Sequence, residues 1–201
     1  MSGIFGMINF DGHSVGQADL KHMSEKMAHR GPDASGVEVL SNACLGHRRL
    51  SIIDLSPSAD QPMTDSSGRY TMVFNGEVYN FQSVKEKLPD YPFTTSSDSE
   101  VVLAAYAEWG SAALQWFNGM FALAIWDAEE QEMFIARDRI GIKPLYYSFQ
   151  KGTLIFSSEI KALLASELVT PKLDRRSLLE YLTYQTVHDP GTMLEDVRML
   201  P

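Results

Sequence analysis

The amino-acid sequence predicts an α+β fold, in which antiparallel sheets carry helices on their outer faces. In the first half of the chain, segments with the apolar spacing of helices lie between short strand-like segments. In the second half, pairs of apolar segments follow one another across short turns, as hairpins do. The length of 201 residues is enough for one large domain, or for one domain and part of another.

The first half begins with a predicted strand over residues 4–9, which the turn signal Asp11-Gly12 closes. Ser97, followed three residues later by Glu100, indicates a capping box at the start of a helix that Gly110 ends. The other predicted elements here are strands over 36–40, 43–48 and 70–75, the last ending at Asn75-Gly76, and helices over 18–28, 81–88 and 112–116.

The second half is predicted to contain two hairpins and two helices. The hairpins pair 121–127 with 132–137 and 145–149 with 153–157, and the helices cover 159–165 and 175–183. Pro171 marks a boundary, and Asp174 is the expected cap of the last helix. Residues 1–170 are therefore predicted to form one domain. Residues 171–201, whose apolar helix face needs a partner, are predicted to be a linker and the truncated start of a second domain.

Composition excludes several classes of partner. A net charge of −9 argues against nucleic acid and anionic membranes as partners. The single cysteine, Cys44, rules out an intrachain disulfide and fits a reducing compartment.

Because there is neither a basic leader at the N-terminus nor a run of about 18 apolar residues, we expect a cytoplasmic protein. The five histidines lack metal-ligand spacing, so no metal site is predicted.

The N-terminus, Met1-Ser2-Gly3-Ile4-Phe5-Gly6, carries a candidate nucleophile. Removal of Met1 would leave Ser2 with a hydroxyl and a free α-amine, whose reference pKa of about 7.7–8.0 suits a general base near neutral pH. The alternative interpretation of the same residues is an ordinary frayed terminus. The rest of the sequence decides between them.

Polar stretches within apolar surroundings indicate where the chemistry lies. They are His29-Arg30-Gly31-Pro32-Asp33, Arg48-Arg49-Leu50-Ser51-Ile52-Ile53-Asp54, Asn75-Gly76-Glu77-Val78-Tyr79-Asn80, Ser96-Ser97-Asp98-Ser99-Glu100, Arg137-Asp138-Arg139-Ile140-Gly141-Ile142-Lys143-Pro144-Leu145-Tyr146-Tyr147 and Ser157-Ser158-Glu159-Ile160-Lys161-Ala162-Leu163. With Ser-Gly-Ile-Phe-Gly at the N-terminus, their order and spacing over residues 2–201 closely resemble the glutaminase domain of glutamine-hydrolysing asparagine synthetases. These are class II glutamine amidotransferases, within the N-terminal-nucleophile hydrolases.

The resemblance implies a fold and a reaction. The fold would be a four-layer αββα sandwich of two antiparallel sheets with outer helices. The enzyme would hydrolyse the side-chain amide of L-glutamine to glutamate and ammonia, through a γ-glutamyl intermediate on residue 2. Asn75 can offer a side-chain N–H, and Gly76 a backbone N–H, to the oxyanion of the tetrahedral intermediate. For an isolated Asn-Gly, a hairpin turn would be the alternative.

Glutamine is a zwitterion, so its site needs one cation and one anion. Arg49 is the candidate for the α-carboxylate, because a guanidinium binds a carboxylate in two places; the alternative is a solvated surface cation. Asp98, with Glu77, is the candidate for the α-ammonium; a carboxylate favoured by the helix dipole is the alternative, and Asp98 could serve as both. The resemblance adds backbone groups of Leu50, Ile52 and Ile53.

The remaining two residues of interest in the first motif, Arg30 and Asp33, are predicted to form a loop-stabilising pair beside the nucleophile. No further binding role is predicted for them.

The sequence departs from the family in two ways. Ser2 stands where the family has cysteine, which predicts weak or trapped chemistry; a deliberate replacement is the simplest explanation and a natural variant the second. No Ser-Gly-Gly-x-Asp stretch is present, so ATP and Mg²⁺ are implied only for an absent synthetase domain that would receive the ammonia, and this domain needs no cofactor. A non-catalytic glutamine-binding module and a scaffold remain alternatives, and homo-oligomer formation is left open.

Overall fold

The computed structural model describes residues 1–13 and 16–201. The described strands are β1 Gly3–Asn9, β2 Ala34–Leu40, β3 Ala43–Arg49, β4 Met63–Thr64, β5 Tyr70–Val78, β6 Gly119–Asp127, β7 Glu132–Arg137, β8 Tyr146–Gln150, β9 Thr153–Ser157 and β10 Arg198–Met199. The helices are α1 Gln17–Lys26, α2 Phe81–Lys85, α3 Asp98–Trp109, α4 Ile160–Ala165 and α5 Arg175–Tyr184, with 3₁₀ segments at Pro57–Ala59 and Gly110–Trp116.

The strands form two antiparallel sheets. The first has six strands in the order β10-β8-β9-β1-β3-β2, and the second has four in the order β4-β5-β6-β7. β1 lies in the interior of the first sheet, where Gly3 pairs with Arg48 of β3 and Met7 pairs with Ile155 of β9. The N-terminal strand is therefore hydrogen-bonded on both edges.

Three clusters of buried apolar side chains define the layers. Ile4, Leu45, Val73, Trp126 and Phe156 belong to the cluster between the two sheets. A second cluster joins α1 and α4 to the outer face of the six-stranded sheet, and a third joins α2 and α3 to the outer face of the four-stranded sheet. The order helices, sheet, sheet, helices confirms the αββα sandwich.

Strand β5 continues beyond the end predicted at Asn75. Gly76 pairs with Phe121 and Val78 with Gly119 of β6, so Asn75-Gly76 lies inside a strand and is not a hairpin turn. A Cβ atom at Gly76 would lie 2.4 Å from the carbonyl oxygen of Met120, so glycine permits a close approach of the two backbones. The Asn-Gly sequence, which favours a turn in isolation, is therefore part of a strand here because β6 pairs with it.

The predicted capping box forms only in part. The Ser97 hydroxyl accepts a hydrogen bond from the backbone N–H of Glu100 at 3.3 Å, as expected of an N-cap. The Glu100 carboxylate, however, accepts from the backbone N–H groups of Thr94 and Thr95, at 2.9 and 2.6 Å, instead of from Ser97. The segment before α3 bends back over the helix start, and the carboxylate therefore stabilises that bend.

Residues 171–201 contact the rest of the chain. Asp174 caps α5 by accepting from the N–H of Arg176 at 2.8 Å, and Arg198 of β10 pairs with Tyr147 of β8. Val197 is fully buried in the cluster that holds α1 and α4. The division into residues 1–170 and 171–201 stays a prediction. Among the described residues, no helix combines the length and apolar character needed to span a bilayer.

Candidate functional site

The N-terminus is held in place at several points and is not frayed. The Arg30 Nε donates to the carbonyl oxygen of Ser2 at 2.9 Å, and the backbone N–H of Leu50 donates to Ser2 Oγ at 3.1 Å. Two residues further on, the N–H of Ile4 donates to the Ser158 hydroxyl at 3.0 Å. These contacts come from three separate parts of the chain and fix the position of the Ser2 side chain.

Ser2 opens onto a cavity of about 220 Å³ between the two sheets. This is smaller than the roughly 300–1,000 Å³ of pockets that take drug-sized ligands, so it suits a small molecule. All nine site residues predicted from the sequence line it: Ser2, Arg49, Leu50, Ile52, Ile53, Asn75, Gly76, Glu77 and Asp98. Residues far apart in the sequence are thus brought together, while their roles toward a ligand stay predictions.

Asn75 supplies a hydrogen-bond donor that the described part of the chain leaves unused. Its side chain is only 1% exposed, and its Nδ2 has no partner among residues 1–13 and 16–201. A buried unpaired N–H costs about 1–3 kcal/mol, so a group of this kind that faces a cavity is expected to meet a ligand or an ordered water there. A carbonyl oxygen in this cavity is the kind of ligand group that would complete it.

The guanidinium of Arg49 is buried, so it is not a solvated surface cation. Its Nη1 donates to the carbonyl oxygen of Ser56 at 2.8 Å and to Asp60 Oδ1 at 2.6 Å, and its Nη2 donates to the carbonyl oxygen of Asp54. Through these bonds Arg49 folds residues 50–60 around itself. Leu50, Ile52 and Ile53 line the cavity from this loop.

Asp98 provides a buried carboxylate in the lining of the cavity. It is the first residue of α3 and accepts from the N–H of Val78 at 2.9 Å, through Oδ2. Burial, aided by the negative charge of Glu77, raises the pKa of Asp98 to about 6. Asp98 is therefore both a residue of the first helical turn and a cavity residue, and a ligand cation placed beside it would favour its charged form.

Two lining residues, His47 and Lys143, were missed by the sequence reasoning. Burial lowers the pKa of His47 to about 3, so the ring is neutral; its Nε2 lies 3.1 Å from the carbonyl oxygen of Phe74 and must carry the proton. Lys143 is 5% exposed, and its Nζ lies 3.3 Å from Met1 Sδ. His47 was detectable because it alternates with Arg49 along β3, and Lys143 because it lies within a quoted motif.

Asp54, also missed, connects two loops at the mouth of the cavity. Its Oδ2 accepts from the N–H and the hydroxyl of Ser96, both at 3.0 Å, and its Oδ1 accepts from the N–H of Ser56 at 2.8 Å. Hydrogen bonds from these two serines hold the pKa of Asp54 well below its usual range. The loop over 50–56 is thereby attached to the segment that leads into α3.

Arg30 and Asp33 do not form the predicted pair. Arg30 donates to Ser2 and to Glu159, while Asp33 Oδ2 accepts from the N–H of Ser51 at 2.8 Å. Each side chain therefore has its own partners: Arg30 contacts the N-terminus, and Asp33 contacts the loop after β3. Among the residues that the structure describes, no three His, Cys, Asp or Glu side chains are grouped as a metal site would need.

Comparison with known proteins places this geometry in context. A family model described as glutamine amidotransferase domain matches residues 1–201. The chain is 36% identical over 197 residues to asparagine synthetase (glutamine-hydrolyzing) 3 of Bacillus subtilis, covering 96% of this chain and 32% of that protein. It is 42% identical over 178 residues to amidase chry2 of Gibberella zeae, covering 82% and 26%. The chain therefore spans about a third or less of the length of these relatives.

Solved structures share the fold at lower identity. Glutamine phosphoribosylpyrophosphate amidotransferase from Bacillus subtilis superposes with a TM-score of 0.71 and 20% identity, covering 86% of this chain and 45% of that one. A structure described as the allosteric regulatory enzyme of purine biosynthesis gives 0.69 and 19%, covering 82% and 43%. At these identities the likeness concerns the fold alone.

Proposed function

This chain belongs to the glutamine amidotransferase domain family, and from that premise we propose that it binds L-glutamine and hydrolyses its side-chain amide. Ser2 Oγ attacks the amide carbonyl carbon while the free α-amine of Ser2 accepts the hydroxyl proton. The carbon–nitrogen bond then breaks, the proton passes to the leaving nitrogen, and ammonia departs. Water hydrolyses the resulting γ-glutamyl ester to glutamate and restores Ser2.

The unpartnered Nδ2 of Asn75 is the observation that carries this proposal. The tetrahedral intermediate places negative charge on the former carbonyl oxygen, which needs preorganised donors. Asn75 lies in the same cavity as Ser2, together with Gly76, whose backbone N–H is the second proposed donor. Because Asn75 is already buried and fixed within β5, it can donate to the oxyanion without a large rearrangement.

The two charged walls of the cavity support glutamine as the substrate. Arg49 would hold the α-carboxylate, while Asp98 and Glu77 would hold the α-ammonium. Leu50, Ile52 and Ile53 would close the pocket with backbone groups. The substrate therefore orients itself by its zwitterionic end, and its amide is directed toward Ser2.

Ser2 is the weak point of this machinery. We propose that it stands in place of the cysteine of the family, by engineered replacement or by natural variation, and that turnover is slow for this reason. An alcohol is far less acidic than a thiol, whose pKa is about 8.5. In the unprocessed chain, Met1 contributes a side chain to the same cavity, so catalysis also requires its removal.

Ammonia needs an acceptor, and the matched relatives extend well beyond the region shared with this chain. We propose a synthetase domain or protein as the partner, with ATP and Mg²⁺ used there and no cofactor in the glutaminase site. A cytoplasmic location stays a prediction from the sequence.

A glutamine-binding module without chemistry is the second candidate function. Ser2 favours it, because the binding residues are all present while the nucleophile is weak. A scaffold without ligand binding is disfavoured by the same complete set of pocket residues.

Mass spectrometry of the chain incubated with glutamine tests the proposal, alongside thermal denaturation. We expect a species lacking Met1 that carries a γ-glutamyl adduct, and stabilisation of about 2.7 kcal/mol when glutamine is present at 100 times its Kd. Stabilisation with neither adduct nor ammonia would favour the binding module. Absence of both stabilisation and adduct would favour the scaffold function. If glutamine stabilises an Asp98→Ala control as much as the parent, glutamine binds at a site other than this cavity.

A further inference from the structure

One quoted motif, Ser157-Ser158-Glu159, has no role in the chemistry described so far, yet it lies against the N-terminus. Ser158 is 1% exposed and accepts from the N–H of Ile4 at 3.0 Å. The next residue, Glu159, reaches Arg30, whose Nη1 donates to Glu159 Oε1 at 3.2 Å. Two consecutive residues after β9 thus hold the beginning of the chain.

Arg30 transmits this contact to the nucleophile. Its Nε donates to the carbonyl oxygen of Ser2 at 2.9 Å, and its side chain is 10% exposed. The aliphatic part passes close to Gly3, where a Cβ atom would lie 3.2 Å from Arg30 Cδ. Within residues 1–13 and 16–201, Glu159 is the one carboxylate that lies within 4 Å of the Arg30 guanidinium.

Glu159 is itself fixed by two further groups. Its Oε1 lies 2.8 Å from His29 Nε2, and its Oε2 lies 3.0 Å from Lys161 Nζ. Burial acts to raise the pKa of Glu159, but hydrogen bonds from Lys161, His29 and Arg30 outweigh it and hold the pKa below its ordinary value. The carboxylate is therefore charged at neutral pH and held between three donors.

Once Met1 is removed, the carbonyl group of Ser2 is the backbone group left to anchor this residue. After removal of Met1, the nitrogen of Ser2 is a free amine that the reaction uses, so it cannot serve as a fixed backbone anchor. Strand pairing begins only at Gly3. The carbonyl oxygen is the remaining backbone group of Ser2 that can be fixed by a hydrogen bond. The carbonyl carbon is bonded to Cα, which carries both the α-amine and the side chain with Oγ.

We infer that Glu159 is a positioning residue for the nucleophile: it holds Arg30 against the carbonyl of Ser2 and thereby sets the direction of Ser2 Oγ and of the α-amine. This inference rests on the proposed glutaminase activity. A displacement of about 1 Å at a reacting group can cost roughly a hundredfold in rate. The loss is expected in kcat, since Glu159 does not line the cavity that receives glutamine.

The test compares variants in a Ser2→Cys protein with Met1 removed, where ammonia release is measurable. Glu159→Gln is expected to lower kcat at least tenfold and to leave KM for glutamine within threefold of the parent. Glu180→Gln is the matched control, because Glu180 lies close to His188 and is remote from Ser2; it should leave both constants unchanged. An inactive Ser2→Cys parent would reject the glutaminase itself, and therefore separates the two failures.

A double-mutant cycle shows whether Glu159 acts through Arg30. Arg30→Met should lower kcat on its own, and adding Glu159→Gln should lower it no further. Independent, multiplying losses would overturn the inference, as would a Glu159→Gln protein with the kcat of the parent. If Glu159→Gln does not fold, Arg30→Lys gives the answer: lysine keeps a cation for Glu159 but loses the Nε donor, so kcat should fall, and an unchanged kcat would overturn the inference.

Discussion

The two sides of the cavity are built differently. On the side of the nucleophile, β1 is paired on both edges and Arg30 holds the carbonyl oxygen of Ser2, while Leu50, the first residue of the loop opposite, donates to Ser2 Oγ. On the other side, the loop over 50–56 exposes 61% of Ile52 and 74% of Leu55, and polar contacts of Arg49 and Asp54 hold it. The position of Ser2 thus depends largely on sheet pairing, whereas the exposed loop over 50–56 depends on a few polar contacts.

The largest expected effect concerns the fixed side. Ser2→Cys with Met1 removed should raise ammonia release from glutamine by orders of magnitude, because the pocket is complete and only the nucleophile is weak. The rate of ammonia release at saturating glutamine measures the effect. A cysteine variant that releases ammonia as slowly as the parent would show that a group other than residue 2 also limits the reaction.

The matched control is the same Ser2→Cys protein with Met1 protected by an added N-terminal residue. A peptide nitrogen cannot accept the proton that the free α-amine accepts, so this protein should be inactive. Equal rates in the two forms would mean that another residue is the base, and the N-terminal-nucleophile mechanism would be rejected.

An intermediate effect is expected at Asp98, the buried carboxylate that faces the loop. Asp98→Asn keeps an acceptor for the N–H of Val78 but removes the counter-charge for the α-ammonium, so glutamine should no longer raise Tm. Differential scanning calorimetry with and without glutamine measures this. Glu108→Gln, exposed on the same helix, is the control and should respond to glutamine as the parent does.

The same variant should change the pH dependence of stability. Between pH of about 4 and 6, the folded protein keeps a proton on Asp98 that the unfolded chain has lost. The free energy of unfolding therefore falls as pH rises through this window. Asp98→Asn should be more stable than the parent by about 3 kcal/mol at pH 8, and the gain should vanish below pH of about 4. A constant difference between the two proteins at all pH values would contradict the assignment.

The smallest effect is expected at the loop. Asp54→Ala removes the carboxylate that joins residues 50–56 to Ser96, so KM for glutamine in the processed Ser2→Cys protein should rise about threefold to tenfold. Because the pairing of β1 and the Arg30 contact also hold Ser2, kcat should stay within about twofold. Ser96→Ala retains the backbone N–H donor and should show a smaller rise. A fall in kcat with constant KM would mean that the loop positions reacting groups after all.

Local signals in the sequence were enough for most of the fold. The Asp174 cap, the end of α3 at Gly110 and the hairpin turns all depend on neighbouring residues, and the structure confirms each. Where an element depends on a distant partner strand, the prediction was wrong or was not made. β5 extends past Asn75 because β6 pairs with it, and β10 has no local signal of its own.

The candidate site shows the same division. The resemblance identified nine residues that the structure collects around one cavity, which their spacing alone could not have done. His47 and Lys143 lie next to or within the motifs, but nothing in those motifs showed that they are buried, because burial is a property of the fold. Arg30 was paired with the wrong carboxylate, since Glu159 lies 129 positions away and Asp33 is three residues away.

The pairing of β1 with β9 can form only late in synthesis of the chain, because the two strands lie far apart in the sequence. The hydrogen bond from Ile4 to Ser158 spans 154 positions, which takes roughly 8–30 s at about 5–20 residues per second on the ribosome. During that interval β1 can pair with β3 but not yet with β9, so one edge of the N-terminal strand is still open. The proposed mechanism requires removal of Met1, and we expect this trimming to be possible before the contacts of β9 and Ser158 have fixed the N-terminal strand.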